Sequence, residues 1–360
     1  MPTSSYDSIT LTTAVNDLDS GQRCRRLMGL FAPSADVHLS TYLEYGYDTD
    51  NPHILQVRKQ HEGSSPVAAT IGDVKRLSFP KYRPSTDWDE ADTRKLDPAV
   101  AAYMGPNASN PNSVQDDKVA KQLRKLRNYI DTSHLVNCLT ALRTGAVTFK
   151  YEDATTEGIE YGYGSAGTAV DSIIKTALSG TTAPTAIWTS ANALPMDNIE
   201  LLARNIRATS QYGGAFDVVM GPAAWDAFRV HSTVTKLLDN RRTEGNVMMD
   251  KENGEYKASI NGFDIYEVDY RYLLDTTWTE AWDTNTIAVI PRENLDWFST
   301  EHGAVYEIPE GGTRPSLIPT MYFSKVIVEQ DPVSEKLIVE SRPIPVIKNP
   351  LCLRVQTVIS

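Results

Sequence analysis

The clearest hydrophobic pattern in the chain lies between residues 114 and 143, a stretch without Gly or Pro. Apolar side chains recur there about every 3.6 residues, which is typical of a helix with one buried stripe. The residues of this stripe are Val119, Leu123, Leu126, Ile130, Leu135, Leu139 and Leu142. At a rise of 1.5 Å per residue the pattern predicts a spine helix about 44 Å long, around which we expect the chain to be organised.

Both ends of this helix carry ordinary signals. Ser113 is a candidate N-cap, and Asp116 and Asp117 lie in the first turn, where the helix dipole favours negative charge. Arg143 lies in the last turn and Gly145 follows it, as at many helix ends. Taken alone, such a helix is also typical of the core of a globular enzyme.

The part of the chain before the spine helix is poor in regular patterns. Residues 1–50 are polar and mixed, which indicates an N-terminal arm that gains order by lying on something else. Residues 53–59 can form a strand. Residues 63–89 alternate weakly between prolines, which predicts an extended two-stranded excursion; a disordered surface loop is the alternative. An isolated hairpin is marginal in water, so we expect another chain to support it. Residues 90–112 are a connector rich in Pro and Asn.

The part after the spine helix has a mixed α/β pattern. Two alternating runs between Val147 and Tyr163 predict a β-hairpin, and a short helical pattern covers 169–178. Residues 243–262 are predicted to be a mobile polar loop. The remaining predicted helices are 196–208, 222–230 and 233–242; the remaining predicted strands are 216–220, 263–268, 286–291, the hairpin 322–330 with 336–341, and 353–359.

Composition narrows the function classes. With 360 residues and 41% hydrophobic residues the chain can bury a substantial core, and two domains are expected. Its net charge of −11 argues against tight electrostatic binding of nucleic acid, although it leaves passive proximity possible. Three widely spaced cysteines (Cys24, Cys138 and Cys352) indicate free thiols in a reducing compartment. Neither a signal-peptide pattern nor a membrane-length apolar run is present, so we expect a soluble protein made in the cytoplasm.

One motif points towards nucleotide chemistry. Residues 162–167 match G-x-G-x-x-G between a strand-like and a helix-like segment. However, the preceding strand alternates and contains Glu160, whereas the first strand of a dinucleotide fold is normally apolar throughout. The acidic residue expected about 20 residues later is also missing. A nucleotide-dependent enzyme using this motif is therefore the alternative function, and a flexible joint between domains is the simpler interpretation.

Other chemistry is not indicated. The six histidines are scattered, none with a partner at metal-ligand spacing, and His134 on the spine helix is predicted to be a polar-face or hydrogen-bonded residue. The chain lacks a G-x-S-x-G elbow and a P-loop. We therefore predict no catalytic residues, no cofactor and no metal, and a protein that is not an enzyme.

A resemblance to a known family rests on an ordered set of features. Residues 216–242 and the last 30 residues resemble the lambda E-type major capsid proteins of tailed bacteriophages, and the spine helix, Gly145 and the 147–163 hairpin occur in the same order as in that family. The resemblance covers most of the chain and is loose over the first 112 residues. The features are the 216–220 strand; Pro222, Trp225 and Phe228; Leu238, Asp239, Arg241 and Arg242; Asp331-Pro332; residues 341–345; and Asn349-Pro350.

The resemblance implies an α+β fold of the HK97 type, with an N-arm, an extended E-loop, a P-domain containing the spine helix, and an A-domain. The implied boundaries are 1–60 for the N-arm and first P-domain strand, 61–95 for the E-loop, 96–184 for the P-domain, 185–317 for the A-domain, 318–348 for a returning P-domain hairpin, and 349–360 for a C-terminal strand to the A-domain.

The same resemblance implies a function. A major capsid protein of this kind assembles into hexamers and pentamers of an icosahedral head in the bacterial cytoplasm and ends in the virion. The implied partners are further copies of the chain, a decoration or cement protein, scaffold and portal, and packaged double-stranded DNA by non-specific proximity, with no membrane. A third hypothesis, that the chain is itself a decoration protein, fits the long spine helix poorly. The candidate inter-subunit or decoration contacts are the apolar residues of the excursion, Val67, Ile71, Val74, Leu77 and Phe79.

Overall fold

The structure is a computed structural model, and it describes residues 8–18, 35–45, 75–88, 111–150, 158–162, 174–177, 186–241, 248–249, 255–274, 276–293, 297–308, 314–330 and 333–359. Its helices are α1 (Ser8–Asp17), α2 (Pro111–Thr144), α3 (Pro195–Ser210), α4 (Pro222–Val230) and α5 (Ser232–Arg241). Its strands are β1 (Ala35–Val37), β2 (Tyr42–Tyr45), β3 (Lys75–Ser78), β4 (Ser85–Trp88), β5 (Ala146–Lys150), β6 (Gly158–Gly162), β7 (Lys175–Ala177), β8 (Phe216–Met220), β9 (Met248–Met249), β10 (Tyr256–Ile260), β11 (Phe263–Glu267), β12 (Arg271–Leu274), β13 (Thr277–Glu280), β14 (Thr286–Pro291), β15 (Phe298–His302), β16 (Val305–Glu307), β17 (Ser316–Ile318), β18 (Phe323–Gln330), β19 (Val333–Glu340), β20 (Pro343–Ile347) and β21 (Arg354–Thr357).

Helix α2 is the predicted spine helix, and every residue of its predicted apolar stripe is buried. It begins at Pro111 instead of following Ser113, because proline at the first position of a helix loses no intrahelical hydrogen bond. The helix ends at Thr144. Gly145 adopts a left-handed φ of 69° and donates its N–H to the Ala141 carbonyl at 2.7 Å, which confirms it as the stop.

The two halves of the spine helix pack against different parts of the chain. Its N-terminal half lies against α1 and β19 in an N-terminal core formed by Leu11, Val15, Val119, Leu123, Leu126, Ile130, Leu337 and Val339. Its C-terminal half lies in a larger central core that includes Leu135, Leu139, Leu142, Val147, Phe149, Tyr161, Trp282, Trp297, Ile344 and Val346.

The largest sheet in the described part of the chain has the strand order β7-β21-β14-β8-β11-β10-β9. Its two faces serve different cores, because successive side chains of a strand point to opposite faces. Val219 and Ala288 belong to the central core, whereas their neighbours Val218 and Val289 belong to a second core covered by α3 and α4. Strands β8 and β14 are buried along their whole length, as their mainly apolar sequences predict.

Smaller sheets surround the spine helix. The predicted hairpin near the C-terminal end is present as β18 and β19, which pair antiparallel from Phe323–Glu340 to Gln330–Val333. Strand β4 extends this hairpin at the edge of β19. Strands β1, β15 and β20 form a second small sheet, and β5 pairs with β6 as predicted.

Where the structure describes residues 63–89, they do not form the predicted two-stranded excursion. Strands β3 and β4 do not pair with each other: β3 pairs with β2, and β4 pairs with β19. Residues 75–88 are therefore built into the sheets of their own chain. The predicted strand at 53–59 and residues 63–74 lie outside the described residues.

Two further predictions of secondary structure are wrong. The 243–262 stretch contains β9 and β10, and β10 pairs with β11 across a tight turn at Asn261 and Gly262, whose φ angles are 54° and 82°. Such a turn suits the twist of a hairpin. Within 169–178, where a helical pattern was predicted, residues 175–177 form β7, which gains parallel hydrogen bonds to β21 at the edge of the large sheet.

Candidate assembly surfaces

A cluster of charges fixes residues 81–83, where the predicted excursion joins the body. The Glu340 side chain is 1% exposed, and its carboxylate lies 3.4 Å from Arg83 Nη1 and 3.6 Å from Lys81 Nζ. Arg342 donates to the same carboxylate at 2.9 Å. A buried carboxylate is costly unless cations and donors surround it. Glu340 therefore holds Lys81 and Arg83 of the segment against β19, and Arg342 is its third cation.

A second carboxylate extends this cluster. Arg83 Nη2 lies 3.1 Å and Lys325 Nζ lies 2.7 Å from the Glu307 carboxylate. Burial raises the pKa of Glu307, but the hydrogen bond and charge of Lys325 and the charge of Arg83 outweigh it, so that the pKa is below its usual value. Arg83 therefore joins β16 and β19 at one point.

The structure separates the predicted contact residues of the excursion. Val67, Ile71 and Val74 lie outside the described residues. Leu77 is half-buried and packs against the central core. Phe79 is 5% exposed and belongs to that core, with its ring centroid 5.9 Å from that of His38. Phe79 is thus covered by its own chain and does not present its ring to a neighbour.

An exposed apolar surface occurs instead on the hairpin of β12 and β13. Leu273 and Leu274 are each 55% exposed, and Trp278 is 67% exposed. Leu273 pairs directly with Trp278 across the two strands. A two-stranded hairpin is marginal in water, and an exposed apolar edge promotes association. This apolar hairpin is therefore a candidate contact between subunits that the sequence analysis missed; the adjacent leucines beside a tryptophan are its only sequence signal.

A second hairpin of the same kind is formed by β16 and β17. Tyr306 and Leu317 are cross-strand partners, and both are exposed. Ile308, just beyond β16, is exposed as well. Because Glu307 between Tyr306 and Ile308 pairs with Lys325 of the body, this hairpin is held in place while its apolar side chains face outward.

A buried polar seam lies between the spine helix and β15. His134 Nε2 is 3.1 Å from Thr300 Oγ1 and 3.4 Å from Cys138 Sγ. His134 is therefore a buried, hydrogen-bonded residue and does not lie on the polar face of the helix. Burial and the charge of His302 lower its pKa to about 3, and burial lowers the pKa of His302 to about 4, so both rings are neutral at pH 7.

One arginine ties the N-terminal helix to the spine helix. Arg127 donates from Nη1 to the main-chain carbonyls of Val15 at 2.5 Å and of Leu18. Its Nε lies 3.5 Å from the Asp131 carboxylate, which also accepts the hydroxyl hydrogen of Tyr322. Burial, and then the neighbouring Asp131, raise the pKa of Tyr322. This contact set fixes α1, the spine helix and the start of β18 relative to one another.

The glycine motif has a different setting from a dinucleotide site. Gly162 ends β6, which pairs only with β5 among the described strands, and this pairing is antiparallel. A dinucleotide fingerprint needs a strand inside a parallel sheet that leads directly into a helix. Residues 163–173 lie outside the described part of the chain.

Within the described ranges, no three His, Cys, Asp or Glu side chains come together in a way that could hold a metal ion. No described helix has the length and apolarity needed to cross a membrane. Cys138 and Cys352 are buried free thiols.

Comparison with known proteins identifies the family. Residues 7–358 match the model of a family described as Phage major capsid protein E. No curated protein matches the chain. Among solved structures, one assigned as the capsid protein of a prophage of E. coli CFT073 is 16% identical, with a TM-score of 0.66 over 99% of this chain and 100% of the other. A phage-related protein of Bordetella bronchiseptica RB50 is 13% identical, with a TM-score of 0.52 over 96% and 95% of the two chains.

The likeness to these structures confirms the predicted α+β fold of the HK97 type. The family match confirms the resemblance noted in the sequence, and it extends over the first 112 residues, where that resemblance was loose. The chain therefore belongs to the phage major capsid protein E family and is a shell protein of a tailed-phage head.

Proposed function

We propose that the chain assembles into hexamers and pentamers of an icosahedral head that encloses a double-stranded DNA genome. It is a structural protein of the shell and not an enzyme. The observation that carries this proposal is the apolar hairpin of β12 and β13, where Leu273 and Trp278 face solvent side by side. Covering this surface with a second copy of the chain would remove apolar area from water. Assembly would take place in the bacterial cytoplasm.

We further propose that residues 66–74 form the part of the E-loop that reaches a neighbouring subunit. The anchored residues 81–83 support this, because they give the loop a fixed origin on its own chain. Val67, Ile71 and Val74 are then the proposed inter-subunit contacts. A decoration protein, scaffold and portal are proposed partners on the basis of the family alone.

A decoration protein is favoured over covalent cross-linking between subunits. A cross-link through Lys81 would need a free amine, whereas Lys81 Nζ lies 3.6 Å from Glu340 of its own chain. Denaturing gels of purified particles test this point: we expect a single band at the mass of the chain, and a ladder of covalent multimers would contradict it.

Deletion of residues 66–74 tests the assembly proposal. Residues 75–82 are kept because they pair with β2 and pack into the central core. We expect the deleted protein to show the circular dichroism of the intact chain but to form no shells in electron micrographs. A second variant replaces Val67, Ile71 and Val74 by serine at unchanged length, which removes the proposed contacts but keeps the loop. We expect it to impair assembly as well, though less than the deletion does. Normal shells from the deletion would refute the E-loop proposal. Calorimetry with NAD and ATP tests the enzyme alternative, for which saturable binding would be needed.

A further inference from the structure

Two exposed apolar surfaces lie at different places on the subunit. The first is the apolar hairpin of β12 and β13, where Trp278 lines an open cleft together with Arg143 at the end of the spine helix. The second, here called the second apolar hairpin, is formed by β16 and β17. Its Glu307 pairs with Lys325 of β18, a strand that packs beside the N-terminal core through Val326. Since both surfaces are exposed, neither covers the other within one chain.

The second apolar hairpin has one face against the body and one face outward. Tyr306 and Leu317 are directly opposite each other, so their side chains share a face. Both are exposed, whereas Val305, which points to the other face, is fully buried. Ile308, just beyond β16, is exposed as well. The outward face therefore presents one aromatic and two aliphatic side chains.

The cleft beside Trp278 suits an aromatic side chain with a polar end. Its volume is about 500 Å³, and its lining includes Trp278 as an apolar wall and Arg143, Glu280 and Asp283 as polar groups. Pockets of this volume hold small ligands, so one side chain fits. A tyrosine can bury its ring against an apolar wall while its hydroxyl finds a hydrogen-bond partner. The exposed Tyr306 of another subunit has this character.

Charge favours a contact between the two different hairpins over a contact between two copies of the same one. Residues 269–283 contain four Asp or Glu and one Arg, a net charge of −3, so two copies of the apolar hairpin would repel each other. Residues 305–318 contain two Glu and one Arg, and Arg83 and Lys325 of the body neutralise Glu307. Symmetry points the same way, because a closed ring of identical subunits is built from two different surfaces that meet head to tail.

We propose that, within a hexamer or pentamer, the second apolar hairpin of one subunit packs on the apolar hairpin of the next. In this contact Leu317 lies against Leu273, and Tyr306 enters the cleft beside Trp278. Each subunit gives a different hairpin to each of its two neighbours, so the contact repeats around the ring. Removal of both apolar faces from water stabilises it. The inference rests on the proposed assembly into hexamers and pentamers, and it names the surface that covers the apolar hairpin.

Charged substitutions at the two leucines test the pairing in the full-length protein. Leu273→Lys and Leu317→Glu should each give at least about tenfold fewer shells in electron micrographs, because an unpaired charge would be buried at every contact of the ring. The two changes combined place opposite charges side by side and should restore the number of shells to within about threefold of the wild type. The matched control, Leu273→Lys with Leu317→Lys, changes the same positions to like charges and should stay defective.

A disulfide between the same positions reads the geometry of the ring. Mild oxidation of shells of the variant Leu273→Cys with Leu317→Cys should give covalent pentamers and hexamers on denaturing gels without reductant. Either single variant should run as single chains, because a head-to-tail contact does not bring a residue against its own copy. The single variants also control for the native thiols Cys24, Cys138 and Cys352.

Three results would overturn the inference. These are normal shells from either charged single variant, combined opposite charges that assemble no better than the like-charge control, and an oxidised double-cysteine variant that runs as single chains or only as dimers. Dimers alone would place the contact at a two-fold axis. In all three cases the wild type still forms shells, so the proposed function stands. A wild type that forms neither shells nor capsomers would contradict the proposed function, and this inference with it.

Discussion

The rings of His134 and His302 lie 6.4 Å apart, centroid to centroid, in the seam beneath the spine helix. Both are buried and have pKa values of about 3 and about 4, well below the ordinary 6.5 of an exposed histidine. The unfolded chain therefore binds protons that the folded chain excludes as the pH falls below 6.5.

We expect acid to destabilise the subunit through this pair. The free energy of unfolding should fall as the pH is lowered from about 6.5 to 4, by on the order of 3 kcal/mol for each histidine. Chemical denaturation at a series of pH values measures this. The variant His134→Gln, which cannot be protonated, should show a shallower pH dependence, and an unchanged slope would assign the effect to other groups.

Gly303 permits the burial of Phe79. A Cβ atom added at Gly303 would collide with the Phe79 ring, whose own burial prevents it from moving freely. We expect Gly303→Ala to lower the free energy of unfolding by about 1–3 kcal/mol. Gly213→Ala is the matched control, because an added Cβ at that position meets nothing within 4 Å. If both variants unfold at the same denaturant concentration, the close contact between Gly303 and Phe79 does not contribute to the free energy of unfolding.

The buried stripe of the spine helix can be tested with charged residues. Leu126→Asp and Leu139→Asp each place an unpaired carboxylate in a core, at a cost of about 4 kcal/mol or more. Because this approaches the whole stability of a domain, we expect neither variant to be recovered in the soluble fraction. Lys121→Asp on the exposed face should remain soluble. Equal solubility of all three variants would mean that burial of the stripe does not stabilise the fold.

The role of the apolar hairpin in assembly can be tested separately from the stability of the subunit. We expect Leu273→Ser with Trp278→Ser to change the free energy of unfolding by no more than about 0.5 kcal/mol, since both side chains are exposed. The same variant should form few or no shells, as counted in electron micrographs. Val230→Ser, at a position that is 74% exposed and lies outside the hairpin, should assemble normally. Normal assembly of the hairpin variant would remove β12 and β13 from the candidate interfaces.

The sequence predicted those elements whose burial follows from local pattern. The apolar residues of the spine helix recur at helical spacing, so they all lie on its buried side. The mainly apolar strands β8 and β14 are buried on both faces. Hairpin β18–β19 was predicted because polar residues separate two alternating runs. In these cases the local pattern of apolar and polar residues is enough to indicate which side chains are buried.

The elements that were missed depend on distant partners. Strand β15 reads FSTEH, yet all five residues are buried, because Glu301 is held by His38 at 2.6 Å and by Lys348 at 3.1 Å. Those partners are far away in the sequence. Strand β10 was hidden by the polar composition around it, although Asn261-Gly262 is a strong local hairpin signal. The exposed hairpin β12–β13 was missed because an apolar pattern does not distinguish the core of one chain from an interface between two.

The contact of Arg127 with the end of α1 has a geometric consequence. Successive residues of an α-helix are rotated by about 100° around its axis. A slip of the spine helix by one residue would therefore swing the Arg127 side chain away from the Val15 and Leu18 carbonyls and from Asp131 at the same time. The position of α1 on the body of the subunit is thus set by the angular position of a helix whose other end lies in the central core.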